Sequence, residues 1–243
     1  MKVSIILPTY NEIGNIVNLI YAIKKNVPSE WDHEIVVADD NSPDGTYQKV
    51  QETFYDDPTV VAILRLKDRG LAKSIRAGIE ASSGDQIIVM DTDFTHDPVE
   101  IPKLLHVGKM YDIVSGSRFC PGGNMHDKFH YHSSFIYNLF MRVFLRTQVQ
   151  DNLGGYFSMA RSQINHLPFD EIFVGYGDYF FRLLHFAQAA KMTIVEIPAV
   201  YHSREQGQSK SNVLKMIISY TEAMIEIKRF DHKKKSQNSQ INE

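Results

Sequence analysis

Asp91-Thr92-Asp93 sets two carboxylates at i and i+2 around a small residue. Such a pair can hold one hard cation through oxygen ligands, and magnesium or manganese there would bridge diphosphate oxygens and stabilise a departing nucleotide. A second acidic cluster places Asp39, Asp40 and Asp44 before Gly45-Thr46. One of these carboxylates can cap a helix and one can close the Asp44-Gly45 turn, which leaves one to accept hydrogen bonds from a nucleobase or ribose. Pro8-Thr9-Tyr10-Asn11-Glu12 offers Tyr10 and Glu12 to a ligand crevice, or forms an ordinary turn in which Asn11 or Asn15 caps the next helix. Arg118 could meet a phosphate bidentately, or make a surface salt bridge. Arg204 and Lys210 flank Gly207. They form either a lid carrying two positive charges to a diphosphate or a solvated loop.

Most of these segments follow apolar runs. Residues 3–7, 34–38, 60–66, 86–90 and 113–117 have strand character. Residues 13–25, 46–54, 71–81 and 99–105 carry apolar side chains at helical spacing, with Ile16, Leu19, Ile20 and Ile23 on one face. This alternation predicts an α/β chain whose mostly parallel sheet has helices on both faces. Ligands of such sheets bind at the carboxyl ends of the strands. Beyond Ser117 the pattern predicts a loop over 118–127, helices over 133–146, 179–190 and 213–230, strands over 154–160 and 193–197, and a polar loop over 204–211. No linker divides the chain, which predicts one domain over 1–230 with lobes at 1–117 and 118–230. Residues 231–243 read as a basic and then polar disordered tail.

The net charge of −3 argues against a broad nucleic-acid-binding face. Cys120 is the only cysteine, which excludes an internal disulfide framework and a thiolate-rich metal site. Hydrophobic residues make up 43% and charged residues 23%, a balance that argues against disorder, collagen and coiled coil. The first apolar run is too short for a signal peptide. No stretch reaches the roughly 20 apolar residues of a membrane helix. The expectation is a soluble or peripheral protein, cytoplasmic by default.

Five motifs occur in one order: Pro-x-Tyr-Asn-Glu from Pro8, Asp-Asp-x-Ser-Pro-Asp-Gly-Thr from Asp39, Asp-x-Asp from Asp91, Gly-Ser-Arg ending at Arg118, and Arg-x-x-Gly-x-Ser-Lys from Arg204. Together they resemble the inverting family 2 glycosyltransferases of GT-A fold. Within that family the chain is most similar to dolichol-phosphate and polyprenol-phosphate mannose synthases and their glucosyl relatives. The resemblance implies a nucleotide-binding lobe over 1–117 and an acceptor lobe over 118–230. It places nucleotide-sugar contacts at Pro8, Tyr10, Glu12, Ala38 and Asp40. Mg2+ or Mn2+ and the donor diphosphate fall to Asp91 and Asp93, with Thr92 and Thr95 beside them. Arg118, Arg204 and Lys210 fall to the phosphates of donor and acceptor. The implied donor is GDP-mannose or UDP-glucose, and the implied acceptor is polyprenyl phosphate. Ser134 matches an acceptor-binding position, and His130 stands where the synthases carry an arginine. His126, His130 and His132 read as a metal cluster or as polar loop residues.

Gly175-Tyr176-Gly177-Asp178-Tyr179 resembles the acidic motif of family members that glycosylate hydroxyls. Asp178 is then a general base for a saccharide acceptor in cell-surface polysaccharide synthesis, or simply the cap of the next helix. The expected catalytic set is Asp93, Arg118, Arg204, Lys210 and, under the hydroxyl reading, Asp178. A binding module without turnover is a different class, and intact Asp91, Asp93 and Arg118 argue against it.

Phe135, Ile136, Leu139, Phe140, Val143, Phe144 and Leu145 form one apolar stretch with Arg142 and Arg146. Val213 to Ile227 forms another, trailed by Lys228, Arg229 and Lys233-Lys234-Lys235. Bilayer-surface helices flanked by cations have this composition, as do core helices with solvated ends.

Overall fold

The computed structural model describes residues 1–202 and 213–241. Its seven-stranded sheet is built from β1 (Lys2–Thr9), β2 (Asp32–Asp39), β3 (Val60–Leu64), β4 (Gln86–Val89), β5 (Ile113–Ser117), β7 (Phe157–Ala160) and β8 (Ile194–Pro198). The spatial order is β3-β2-β1-β4-β7-β5-β8. All neighbours run parallel except β7, which pairs antiparallel with both β4 and β5. The two expected lobes therefore share one sheet. A second, two-stranded sheet pairs β6 (Asn124–Met125), within the 118–127 stretch expected to be loop, with β9 (Val200–Tyr201).

β1 reads KVSIILPT and is buried on both faces, as an interior parallel strand must be. Val3, Ile5 and Leu7 pack with Ile16, Leu19, Ile20 and Ile23 of α1 (Ile16–Asn26). Ile6, pointing the other way, packs with Ile75 and Ile79 of α3 (Leu71–Ala81). A Cβ on Gly78 would lie 2.4 Å from Ile6, so glycine there permits the close approach of α3 to the sheet. The remaining helices of the nucleotide half are α2 (Thr46–Thr53) and α4 (Ile101–Val107). Beyond them come α5 (Lys128–Leu145), α6 (Arg161–Ile164), α7 (Phe169–Ile172), α8 (Tyr179–Ala189) and α9 (Val213–Ile241). Helix α9 continues to Ile241, into the segment expected to be a disordered tail. Its basic residues follow on from a buried stripe of Tyr220, Met224 and Ile227, which packs on Met141 of α5 and Phe181 of α8. That packing covers the first part of α9, up to Ile227.

The strand order reverses beside β1: the chain steps outward to β2 and β3, then returns to β4 on the other side. A crevice opens at such a switch point, outside the carboxyl ends of the strands.

At the opposite sheet end, Glu34 is buried and accepts hydrogen bonds from Lys2 Nζ and Ser4 Oγ, both at 2.6 Å, and from the Ser83 and Gly84 amides. Burial alone would raise its pKa. The Lys2, Ser4 and Ser83 donors outweigh that and bring it down to about 2. A depressed carboxylate stabilises the fold above its unfolded pKa, and that contribution drains away as pH falls from 4.5 toward 2. At about 1.4 kcal/mol per unit, the loss is roughly 3 kcal/mol. Urea unfolding of Glu34→Gln against wild type should therefore show a stability gap at pH 7 that narrows below pH 4. A gap independent of pH would refute it.

Candidate active site

A cleft of about 780 Å³ lies at the switch point. One wall is the β1 loop: Pro8, Thr9, Tyr10 and Glu12. Pro8 is still within β1, in register with Ala38. The β1 and β2 loops are tied together. The Asn11 amide donates to Ser42 Oγ, the Glu12 amide to Thr46 Oγ1 and the Ile13 amide to Asp44 Oδ2, at 2.9 to 3.1 Å. The Asn15 side-chain amide donates to Glu12 Oε2 at 2.9 Å. Asn11 holds a left-handed φ of 57°, a conformation asparagine tolerates.

All three carboxylates of the second acidic cluster have protein partners. Asp39 is fully buried and accepts from the Ser42 amide and hydroxyl. Burial raises its pKa, partly countered by those Ser42 bonds. Asp44 takes the Thr46 amide and hydroxyl besides Ile13. Asp40 lines the cleft, yet Oδ1 pairs with Arg65 and accepts from Ser74 Oγ, while Oδ2 accepts the Gly70 amide at 2.6 Å. Of roughly four lone-pair sites on a carboxylate, two are taken by Arg65 and Gly70, and a third shares the single Ser74 proton with the Ala38 carbonyl. Asp40 thereby joins the β3–α3 loop to the cleft, and offers a nucleoside one remaining acceptor position. Ala38 lies fully buried beneath, its carbonyl accepting from Ser74, and it is not on the cleft wall.

Asp91, Thr92 and Asp93 form the facing edge, just past β4. Thr95 donates both amide and hydroxyl to Asp93 Oδ1, at 3.1 and 2.6 Å, which fixes that side chain. Phe94 between them has a φ of 62°, an uncommon value that marks a constrained loop. Two hard carboxylates on one cleft wall suit Mg2+ or Mn2+. No group of three or more His, Cys, Asp or Glu able to hold a metal occurs among the described residues. Two such carboxylates suit an ion that takes its other ligands from phosphate and water, as Mg2+ characteristically does.

Other residues of the cleft were missed by sequence reasoning: Arg69, Gly70, Leu71 and Ser74 from the β3–α3 segment, Tyr176 before α8, and Lys215, Met216, Ser219 and Tyr220 of α9. Arg69-Gly70 carried a usable signal, a cation and a glycine between a strand and a helix. Gly70 has a φ of 130°, outside the range of ordinary side chains.

Several expected site residues lie elsewhere. Arg118 is buried and does not line the cleft. Its Nε and Nη2 donate to Asp151 at 2.8 and 2.7 Å, and its guanidinium lies over the Tyr201 ring. The salt-bridge alternative is the one realised, and it is buried rather than superficial. Asp178 is also buried, accepting from the Tyr176 amide at 2.6 Å and from Arg182 Nε at 2.8 Å. It does not line the cleft. It makes no side-chain cap to α8 either. His130 and Ser134 lie in the first turns of α5, away from the cleft lining. His130 bonds Asp127 Oδ2 at 2.6 Å, and Ser134 accepts from Asn138. The His126 ring lies edge-on to His202 at 4.8 Å, apart from His130 and His132 in bonding. Arg204 and Lys210 lie outside the described residues.

The model of the glycosyl transferase family 2 domain matches residues 4–167. The undecaprenyl-phosphate mannosyltransferase of Micrococcus luteus is 32% identical over 86% of this chain and 87% of its own length. This chain belongs to glycosyl transferase family 2. A dolichol-phosphate mannosyltransferase of Pyrococcus furiosus is 34% identical over 86% of this chain, which spans 59% of that relative's length. The dolichol-phosphate mannosyltransferase of Saccharomyces cerevisiae is 26% identical over 93% of the chain. Among solved structures, glucosyl-3-phosphoglycerate synthase from Mycobacterium tuberculosis, in complex with Mn2+, UDP and phosphoglyceric acid, superposes with a TM-score of 0.69 at 18% identity. That match covers 93% of this chain and 78% of the other. The fold of this glycosyltransferase is thus GT-A, with the carboxylates at the ends of β2 and β4 facing one cleft.

Proposed function

We propose that this glycosyltransferase moves mannose from a nucleotide sugar to a polyprenyl phosphate, with a divalent cation held by Asp91 and Asp93. The observation that carries the reading is the cleft: large enough for a sugar nucleotide, set at the switch point, and walled by Tyr10, Glu12 and Asp40 on one side and Asp91 and Asp93 on the other. The mannosyltransferase names of the relatives favour GDP-mannose over UDP-glucose as donor.

Bound Mg2+ or Mn2+ would neutralise charge on the departing nucleoside diphosphate. Arg69 and Lys215 bring further positive charge to the same cleft. Arg204 and Lys210, outside the described residues, remain the proposed phosphate cations. A phosphate acceptor is already anionic, so no proton need be removed from it. The engagement of Asp178 by Arg182 is compatible with such an acceptor and disfavours a hydroxyl. Attack from the face opposite the nucleotide inverts the anomeric centre.

Calorimetric titration of GDP and UDP, each with and without Mn2+, tests the donor site. Cation-dependent binding of GDP supports the reading, and binding of UDP alone would redirect it to a glucosyl donor. Binding of neither overturns it.

A lipid acceptor also requires a face that meets a bilayer. Helix α5 exposes Phe129, Phe135, Ile136, Leu139, Phe140 and Val143, and α9 exposes Ile217, Ile218 and Ile225 beside them. The Tyr137 hydroxyl, donating to the Ile217 carbonyl at 3.3 Å, joins the two helices. Contiguous apolar surface on this scale marks an interaction site. Among the described residues no helix is long and apolar enough to cross a membrane. Ile136 and Val143, 68% and 73% exposed, lie two turns apart on one face. The double variant Ile136→Glu/Val143→Glu should lose co-sedimentation with anionic vesicles while keeping its melting temperature and nucleotide affinity. Retained co-sedimentation would exclude this face.

A further inference from the structure

We propose that His96 is a positioning residue for the cation site, holding the Asp91 backbone so that the Asp91 carboxylate keeps its aim into the cleft. The inference rests on Asp91 and Asp93 being cation ligands. The Asp91 amide donates to His96 Nδ1 at 2.9 Å. A backbone amide can only donate, so Nδ1 is bare and the ring proton sits on Nε2. Nε2 in turn lies 3.2 Å from the Gly154 carbonyl, to which it donates. The ring's orientation is therefore fixed from both nitrogens. Nε2 also lies 3.8 Å from Asp91 Oδ2. That is too far for a hydrogen bond. It is close enough for the N–H dipole to favour the carboxylate where it stands.

The aromatic surroundings restrain the ring further. His96 is 1% exposed, stacks on Tyr156 with centroids 4.8 Å apart and 9° between planes, and meets Tyr201 edge-on at 4.7 Å. Tyr156 Oη donates to the Asp97 carbonyl, and the His202 amide donates to the Thr95 carbonyl. These contacts pin residues 91–97 from below and behind. A Cβ on Gly154 would lie 2.9 Å from Tyr201 Oη, so glycine lets that carbonyl reach the imidazole. A buried histidine with both nitrogens bonded is usually a satisfied core residue. This one spends its acceptor on the amide of the residue whose carboxylate lines the cleft. Outer partners of metal ligands commonly set affinity in this way, and losing one costs about 10- to 100-fold.

The test titrates Mn2+ alone into the full chain and reads the free ion by electron paramagnetic resonance, with thermal unfolding alongside. His96→Phe keeps a ring against Tyr156 and removes both nitrogens. It should weaken Mn2+ binding about 10- to 100-fold, and raise the KM for Mn2+ more than it lowers kcat at saturating Mn2+. His96→Asn returns an acceptor near the place of Nδ1 and should recover most of that affinity. If His96→Phe does not fold, His96→Gln, which keeps only a donor near the place of Nε2, takes its part in the comparison. Wild-type Mn2+ affinity in His96→Phe, or equal loss in the Phe and Asn variants, overturns the proposal. Asp91→Ala in the same titration separates the two levels. Binding lost in Asp91→Ala but kept in His96→Phe overturns only the role of His96. No Mn2+ binding by the wild type, either alone or with GDP present, removes the cation reading and this inference with it.

Discussion

Asp91→Ala is expected to abolish sugar transfer while leaving the fold unchanged. The Asp91 side chain is 45% exposed at a loop edge, so truncation opens no cavity in the core. What it removes is one of two carboxylates proposed to hold the cation against the leaving diphosphate. Stabilising charge at a departing phosphate is worth several kcal/mol. A loss in kcat/KM of about 1,000-fold, or roughly 4 kcal/mol, is the expected scale. Asp93 is the less clean test: it is 5% exposed and anchors Thr95, so its removal would also loosen the loop. Turnover of Asp91→Ala on GDP-mannose and polyprenyl phosphate, with unfolding measured in parallel, decides the matter. Unchanged turnover would end the cation assignment.

The largest stability effect is expected at the Arg118–Asp151 pair. Asp151 is fully buried and accepts from Arg118 Nε, Arg118 Nη2 and the Arg118 amide. Its own amide donates to Glu196 Oε1 at 2.9 Å, which ties the pair to β8. Asp151→Asn keeps the shape and removes the charge, leaving the guanidinium buried without its counter-ion. Breaking a buried pair from one side costs about 3–5 kcal/mol. Urea unfolding should show a midpoint shift of that size. The double variant Arg118→Met/Asp151→Leu, which removes both charges, should lose far less, since replacing a buried pair by apolar groups is often close to neutral. Equal losses would mean that packing rather than charge governs the position. The pair also explains why Arg118 does not line the cleft: a bidentate, dry carboxylate competes for the guanidinium more effectively than a solvated phosphate site would.

Much of this protein is determined locally. The short apolar runs at β1, β2 and β4 read as buried strands because regular helical stripes alternate with them. That alternation implies a parallel sheet, and a parallel sheet places its ligands at the strand ends. Tyr10, Glu12, Asp40, Asp91 and Asp93 are legible as one site for this reason, although they span most of the first hundred residues. What the tertiary structure decided is which polar groups stay available there. Asp40 meets Arg65, Arg118 meets Asp151, and Asp178 meets Arg182, which itself reaches Glu226 of α9. Asp178 and Arg182 sit at i and i+4, but the other partners lie dozens of residues apart, and no local periodicity encodes them. The antiparallel insertion of β7 between β4 and β5 was equally hidden, because a four-residue apolar strand carries no mark of direction. The far wall of Tyr176, Lys215 and Tyr220 arises only when α9 packs on α5 and α8. Sequence pattern specifies elements and the ends they present, whereas burial and long-range pairing decide which side chains remain to meet a ligand.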